Sequence, residues 1–190
     1  MSTKHRSQSG TRLPDPNFVH PEVIAPETAS GKALRYVNAA IRLSIGWVFA
    51  WAFIDKLFGL GFATPTERAW INGGSPTTGF LKGAEGTFKD FFNGMAGQAW
   101  ADWLFMAGLA GIGLALLLGI GMRIAAATGS LLLVLMWAAE LPLANNPFMD
   151  DHLVYAMVLV ALALAGAGRT LGLGAKWEQL SFVQKNGWLK

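Results

Sequence analysis

Cysteine is absent from this chain of 190 residues, and histidine occurs only as His5, His20 and His152. The absence of cysteine excludes disulfides, thiolate nucleophiles, cysteine-bound iron–sulfur clusters and haem attached through cysteine. Two of the three histidines lie near the N-terminus, so a bis-histidine haem inside a membrane is not expected. The chain also has no phosphate-binding loop, catalytic triad, metal-ligand cluster or dinucleotide fingerprint. The residues therefore indicate no haem, flavin or metal.

Charged residues are also scarce. They make up 14% of the chain, against about 25% in typical soluble domains, while hydrophobic residues make up 53%. A water-soluble protein of this size has a high surface-to-volume ratio and needs more polar surface than that. The net charge of +3 is small and spread along the chain, which gives nucleic-acid binding little support. The composition predicts a chain that is solvated partly by lipid.

Four apolar runs predict an all-α fold, an integral membrane four-helix bundle. A run of about 20 residues crosses a bilayer as a helix, and the second run reaches that length without a formal charge. The first run is the weakest, because its uncharged part, residues 43–54, is short enough to be a buried helix of a soluble protein. Its extension to residue 36 includes Arg42, which is expected to reach the inner headgroups as an anchor. The predicted spans are about residues 36–58, 103–122, 124–143 and 152–168.

The basic residues indicate how the spans are oriented. With four spans, both tails and the turn between spans two and three share one side, which holds 11 basic residues, while the other side holds four. The positive-inside rule places both termini in the cytoplasm. Residues 1–30 are rich in proline and predict a disordered cytoplasmic tail. Residues 169–190 predict an interfacial tail on the same side.

Residues 59–100 form a long connection on the outer side. Aromatic residues alternate there with lysine and aspartate, which predicts one or two short amphipathic helices lying on the bundle or on the outer leaflet. Such a lid either only stabilises the bundle or also serves binding. In span two, small residues recur at every fourth position and predict close packing within the molecule or, alternatively, a dimer face. This ladder consists of Ala107, Gly111, Ala115 and Gly119.

Ionisable residues gather at the predicted outer ends of the spans. An ionisable group at membrane depth is a functional candidate, because its burial costs several kcal/mol. Asp55 and Lys56 end span one, and Glu140 ends the uncharged part of span three. Adjacent residues on a helix do not face each other. Lys56 is therefore expected to pair with Glu140 or Asp151 rather than with Asp55.

The polar residues around span four have alternative interpretations. Asp150 is interpreted as the cap of a helix N-terminus. His152, which follows Asp151, either transfers protons near neutral pH or is a solvated residue of the first turn. Glu140 either contributes a carboxylate to a site or marks the end of its helix, since Pro142 follows.

Three stretches of the sequence, residues 55–81, 113–126 and 146–178, resemble the DoxX/DoxD family of bacterial membrane proteins. The resemblance extends over about residues 36–180, and the alanine- and glycine-rich style is similar to that of actinobacterial members. The matching features are a Lys–Leu/Phe end of the first helix at Lys56 to Phe58, a glycine turn with arginine at Gly121 and Arg123, and an Asp-x-His element at Asp150 and His152.

The resemblance implies a four-helix protein of the bacterial cytoplasmic membrane. Some members are similar to the large membrane subunit of thiosulfate:quinone oxidoreductase, which oxidises thiosulfate to tetrathionate and reduces a quinone. A quinone co-substrate would enter from the bilayer and take protons from Asp151, His152 or Glu140. Thiosulfate would bind outer cations. The residues expected around it are Lys56, Asp55 and Arg68, with Lys82 and Lys89 nearby in the sequence.

Two other classes of function stay open. One is a non-catalytic accessory or scaffold subunit of a membrane redox complex, which would dock partners through its lid and C-terminal tail. The other is small-solute transport, although no pair of broken helices indicates it. The expected partners are the lipid bilayer and partner redox subunits, with an oligomer left open. An enzyme should bring the outer carboxylates and lysine to a lipid-open pocket, whereas a scaffold should pair them with one another.

Overall fold

A computed structural model describes residues 28–190, and this part of the chain is helical, with short 3-10 turns and no strand. Most of the predicted N-terminal tail lies outside the described residues. The helices are α1 (Ala29–Phe58), α2 (Thr78–Lys82), α3 (Lys89–Met95), α4 (Ala99–Leu118), α5 (Met122–Ala139), α6 (Asp151–Leu164), α7 (Gly174–Trp177) and α8 (Ser181–Lys185).

Helices α1, α4 and α5 are long and apolar enough to cross a membrane, as the apolar runs predicted. Helix α6 is also apolar but has only 14 residues. The first helix begins earlier than the predicted span, at Ala29, so residues 29 and 30 do not belong to an irregular tail. Helices α4 and α5 each begin and end a few residues earlier than the spans predicted at residues 103–122 and 124–143.

The shift of the middle helices has its cause at Gly119. This residue has φ +72°, a left-handed conformation that glycine adopts without steric cost and that ends α4 at Leu118. The turn between the helices therefore runs through Gly119 to Gly121, and Arg123 lies inside α5 rather than in the turn. The predicted turn of residues 121–123 was placed about half a helical turn too late.

The long helices pack as two close pairs. Helix α1 lies along α4, and α5 lies along α6, whereas α4 and α5 are in looser contact. Glycine permits each close approach. A Cβ atom at Gly113 would lie 2.8 Å from the backbone nitrogen of Ala50, and one at Gly129 would lie 2.7 Å from a methyl group of Leu159. All four helices still contribute to one apolar core.

The outward faces of these helices are apolar as well. Leu104 on α4, Leu131 on α5 and Leu164 on α6 each expose more than half of their surface. A helix that is apolar all round, in a chain of this size, fits a lipid environment better than water. The described helices are thus compatible with association with a bilayer.

Candidate functional site

An apolar groove runs between α4 and α5, where the two helix pairs meet loosely. Its volume is about 870 Å³. The lid residues Phe80 and Phe92 line one end, and Trp177 lines the other. The side walls come from α4 and α5, and large apolar residues at the rim, such as Leu114, are exposed. The groove is therefore accessible from the lipid side along the helices.

Small residues of α4 form the floor of this groove. Ala107, Gly111 and Ala115 all line it, and a Cβ atom added at Gly111 would have no neighbour within 4 Å. The prediction that this ladder packs closely inside the molecule is therefore wrong at Gly111, whereas Gly119 at the end of the ladder does pack closely, against the backbone of Gly168. The close approach to α1 uses Gly113, which lies about 200° around the helix from Gly111 and so faces the opposite side.

The lid joins the outer ends of the two helices that form the groove. Residues of α2 and α3 and the loop between them pack with the start of α4 and the end of α5 in a small second core. This core buries Leu81, Ala84, Phe92, Ala101 and Ala139. The lid is thereby positioned over the outer end of the groove.

Asp102 in the first turn of α4 anchors the part of the lid that lies just before α2. Its carboxylate oxygen accepts hydrogen bonds from the Ser75 hydroxyl at 2.8 Å, the Thr77 hydroxyl at 2.6 Å and the Thr77 backbone N–H at 3.2 Å. Asp102 is buried, so these charge-assisted bonds replace its hydration. This role of Asp102 was not predicted from the sequence, although an aspartate next to an apolar run was a visible signal.

Lys56 lies at the end of the groove next to the lid and is the ionisable side chain among its lining residues. The side chain is half-buried, and within residues 28–190 its ammonium group has no hydrogen bond or ion pair. The predicted ion pair with Glu140 or Asp151 does not form there. A half-buried lysine that makes no hydrogen bond or ion pair, at the end of an apolar groove, is suited to bind an electron-rich polar group.

Asp55 and Arg68 do not line the groove. Asp55 is 2% exposed, and its two carboxylate oxygens accept the backbone N–H groups of Phe62 at 3.3 Å and Ala63 at 3.1 Å. This carboxylate therefore holds the loop that follows α1. Arg68 is exposed in the 3-10 turn Thr66–Arg68. The structure does not bring these two residues together with Lys56 around one pocket.

Glu140, Asp150 and His152 come together in a second outer cluster, apart from the groove lining. The Nδ1 atom of His152 lies 2.7 Å from Oδ2 of Asp150, 3.8 Å from Oε2 of Glu140 and 3.7 Å from Oδ1 of Asp151. Asp150 also caps α6, since its Oδ1 atom accepts the Leu153 N–H group, as predicted.

Chemically, this cluster is a hydrogen-bonded carboxylate–imidazole pair with a further carboxylate nearby. One ligand atom from each of Glu140, Asp150 and His152 lies within 4.8 Å of the others, a spacing that a metal ion could bridge. Asp151 is mostly exposed. None of these residues lines the groove, so the predicted proton donors and the lysine do not share one pocket.

Arg42 is fully buried near the end of the bundle where α4 turns into α5, which corrects its prediction as an anchor at the headgroups. Its guanidinium group donates to the backbone carbonyls of Leu116 and Leu117 at the end of α4. It also donates to the carbonyls of Thr170 and Leu171 at 3.3 and 2.8 Å. The Nε atom has no partner among the described residues. Arg42 thus connects the C-terminal end of α4 to the segment that follows α6.

A polar pocket of about 180 Å³ lies between the end of α6 and the C-terminal segment. Two of the three cationic side chains that line it, Arg123 and Arg169, have partners within the described residues. The Arg169 guanidinium donates to both carboxylate oxygens of Glu178, and these hydrogen bonds raise the pKa of Arg169. The guanidinium of Arg123 donates to the Gly187 carbonyl at 2.8 Å. These contacts attach the C-terminal segment to the bundle.

No protein family, curated protein or solved structure matches this chain.

Proposed function

We propose that the chain is a DoxX-like four-helix protein of the bacterial cytoplasmic membrane, with both termini in the cytoplasm. Helix α6 would be the fourth span. Its 14 residues correspond to about 21 Å of helix. The residues that follow, up to the turn Ala167–Arg169, add to the length of this apolar segment. The shared core of the four helices and the excess of basic residues on one side support this topology.

In this proposal the protein serves in a quinone-linked oxidoreductase system and binds a membrane quinone in the α4–α5 groove. The observation that carries the proposal is the half-buried, unpaired Lys56 at the outer end of a lipid-accessible apolar groove. A quinone has one polar ring with carbonyl oxygens and one apolar chain. Its carbonyl would accept a hydrogen bond from the Lys56 ammonium, while its chain would lie among the apolar residues of α4 and α5.

The proposed reaction transfers electrons from thiosulfate to the quinone. Two thiosulfate ions join through a new sulfur–sulfur bond and release two electrons, and the quinone takes up two electrons and two protons to become a quinol. Lys56 would stabilise the negative charge that develops on the quinone oxygen during reduction. Thiosulfate, a dianion, would approach from the outer side, where Arg68, Lys82 and Lys89 are exposed.

A second candidate is a non-catalytic accessory subunit of a membrane redox complex. The observation that favours it is that several outer carboxylates already form hydrogen bonds with other residues of the same chain. Asp55 holds a loop, Asp102 holds the lid, and Asp150 caps α6 and contacts His152. In this alternative the groove and Lys56 would bind a lipid-soluble molecule without turnover.

The test uses the purified full chain in nanodiscs. Quinone binding is titrated first, and thiosulfate-dependent quinone reduction is then measured with and without co-purifying chains. Lys56→Ala is compared with Lys89→Ala, because Lys89 is an exposed lid lysine that does not line the groove. We expect Lys56→Ala to weaken quinone binding about tenfold, the loss of one charge-assisted hydrogen bond, and Lys89→Ala to leave it unchanged.

Each outcome separates the candidates. Binding that depends on Lys56 together with thiosulfate-dependent turnover supports the oxidoreductase. Binding that depends on Lys56 without turnover, even with partner chains added, supports the accessory subunit. Equal quinone binding by both variants and the unmodified protein contradicts the groove as the quinone site.

A further inference from the structure

We infer that the polar pocket between the end of α6 and the C-terminal segment binds the phosphate group of an anionic phospholipid. We call it the basic pocket, and its charged side chains are Arg123, Arg169, Lys190 and Glu178. It lies next to the turn between α4 and α5, at the end of the bundle away from the lid. The inference concerns a second site and does not depend on the quinone proposed for the groove.

An excess of positive charge favours an anion at this end of the bundle. Three of the four charged side chains that line the basic pocket are cationic. The excess continues along the chain, because residues 165–190 contain Arg169, Lys176, Lys185 and Lys190 but only one acidic residue, Glu178. Basic pockets beside membrane helices are typical binding places for anionic lipid headgroups.

The cations of the basic pocket have hydrogen-bond donors that the protein does not use. A guanidinium group has five N–H donors. The Arg123 side chain makes one hydrogen bond, to the Gly187 carbonyl. Arg169 donates to Glu178 through Nε and Nη2, which leaves Nη1. Among the described residues, the Lys190 ammonium makes no hydrogen bond or ion pair. These donors suit a phosphate group, whose oxygens are strong acceptors.

The start of α5 adds to this positive character. Helix α5 begins at Met122, and its first turn lines the basic pocket. The first N–H groups of a helix have no acceptors within the helix, and the helix dipole favours an anion beside them. The Arg123 N–H donates to the main-chain oxygen of Lys190 at 2.8 Å. The Met122 N–H has no acceptor in the part of the chain that the structure describes.

The size of the basic pocket limits what it can hold. Its volume is about 180 Å³, below the roughly 300–1,000 Å³ of pockets that enclose a whole small molecule. A phosphate group fits such a volume, whereas the rest of a lipid must lie outside it.

An apolar stripe leads away from the basic pocket along α6. Leu164 lines the pocket and is 83% exposed, and it is followed toward the start of α6 by the exposed Val160 and Met157. Residues three and four positions apart lie on one face of a helix. Phe182 and Trp188 are exposed on the C-terminal segment, as is typical of aromatic residues at a membrane interface. An acyl chain would lie along the stripe, which favours a phospholipid over free phosphate.

The experiment titrates the purified full chain in a non-ionic detergent with a short-chain phosphatidylglycerol. The apparent dissociation constant is taken from the rise in melting temperature. Short-chain phosphatidylcholine and inorganic phosphate are titrated in parallel. Salt at about 0.5 M screens the attraction between the lipid and exposed charges outside the pocket.

Two variants remove cations of the basic pocket. Lys190→Gln removes a side chain that makes no hydrogen bond among the described residues, so its loss should not affect folding. The pocket double variant combines Arg123→Gln with Lys190→Gln. The matched control combines Lys176→Gln with Lys185→Gln, because these two lysines are exposed in the same segment and do not line the pocket.

We expect phosphatidylglycerol to bind the unmodified protein more tightly than phosphatidylcholine or inorganic phosphate. Lys190→Gln should weaken its binding about fivefold, and the pocket double variant about 20-fold, at roughly one charge contact for each residue. The control should change the binding less than about twofold, since screened surface charges contribute little.

Three results would overturn the inference. Equal weakening by the pocket double variant and by the control would mean that the lipid responds to diffuse surface charge. Equal binding of phosphatidylcholine and phosphatidylglycerol would mean that the acyl chains, and not the charge, are recognised. Equal stabilisation by inorganic phosphate would mean that the site binds a free anion and not a lipid. Quinone binding in the groove is measured separately, so none of these results decides the proposed function.

Discussion

Replacing Arg42 with methionine is expected to destabilise the protein strongly, because this one side chain connects α4 to the segment after α6. Among the described residues, the Thr170 and Leu171 carbonyls have Arg42 as their hydrogen-bond donor. Methionine fills much of the volume but donates no hydrogen bond. Both bonds are part-buried, and a carbonyl left without a donor costs at most about 1–3 kcal/mol. Allowing for partial access of water, the expected loss is about 3 kcal/mol of unfolding free energy.

The assay is thermal unfolding in detergent, followed by near-ultraviolet circular dichroism. A loss of about 3 kcal/mol corresponds to roughly 6–12 °C for a chain of this size. Arg123→Met is the matched control, since Arg123 is exposed and its side chain makes one hydrogen bond to Gly187. Its change should stay within about 1 kcal/mol. Arg42→Lys should fall between the two, because lysine keeps the charge without the planar fork that reaches both segments.

Equal melting temperatures for Arg42→Met and Arg123→Met would refute this reasoning. A higher melting temperature for Arg42→Met would also refute it. It would mean that the desolvation of a buried guanidinium without a carboxylate partner outweighs its bonds to the carbonyls, as happens with some buried charges.

Two further predictions concern the outer side of the molecule. Asp102→Asn should weaken the hydrogen bonds from Ser75 and Thr77 by about 1.5–3 kcal/mol in total. The expected result is faster cleavage of the lid by trypsin. Asp90→Asn, at an exposed lid position, should leave the cleavage rate unchanged, and equal rates for the two variants would contradict the anchor. Asp150→Ala should lower the unfolding free energy by about 1 kcal/mol through loss of the α6 cap, measured by chemical unfolding. Asp151→Ala is the control, because Asp151 is 70% exposed, and a loss as large as that of Asp150→Ala would argue against the cap.

The helices could be predicted from the sequence because their signal is local. Three of the four predicted spans are confirmed as helices long and apolar enough to cross a membrane, and the all-helical character of the described residues agrees with the prediction. Helix ends were less accurate. Gly119 and Gly121 both have positive φ, so either could have ended the helix. The local sequence therefore did not indicate that α4 already ends at Leu118, before the first of them.

The candidate site was predictable only in part. Lys56 was identifiable because a lysine at the end of an apolar helix is costly without a role. Whether Lys56 forms an ion pair was not predictable, because this depends on which helices pack next to the end of α1. Glu140 and His152 were expected on the same side of the bundle, but their contact and their separation from the groove were not predicted.

The sequence by itself determined that the chain is helical, apolar and compatible with a bilayer, since composition and hydropathy act residue by residue. Only the tertiary structure decided that Arg42 is buried among backbone carbonyls and that Gly111 faces open space while Gly113 contacts α1. These features depend on pairing α1 with α4 and α5 with α6, contacts between residues far apart in the chain. Two glycines two residues apart have identical local chemistry, and only the position of the neighbouring helix makes one a packing contact and the other the floor of a groove.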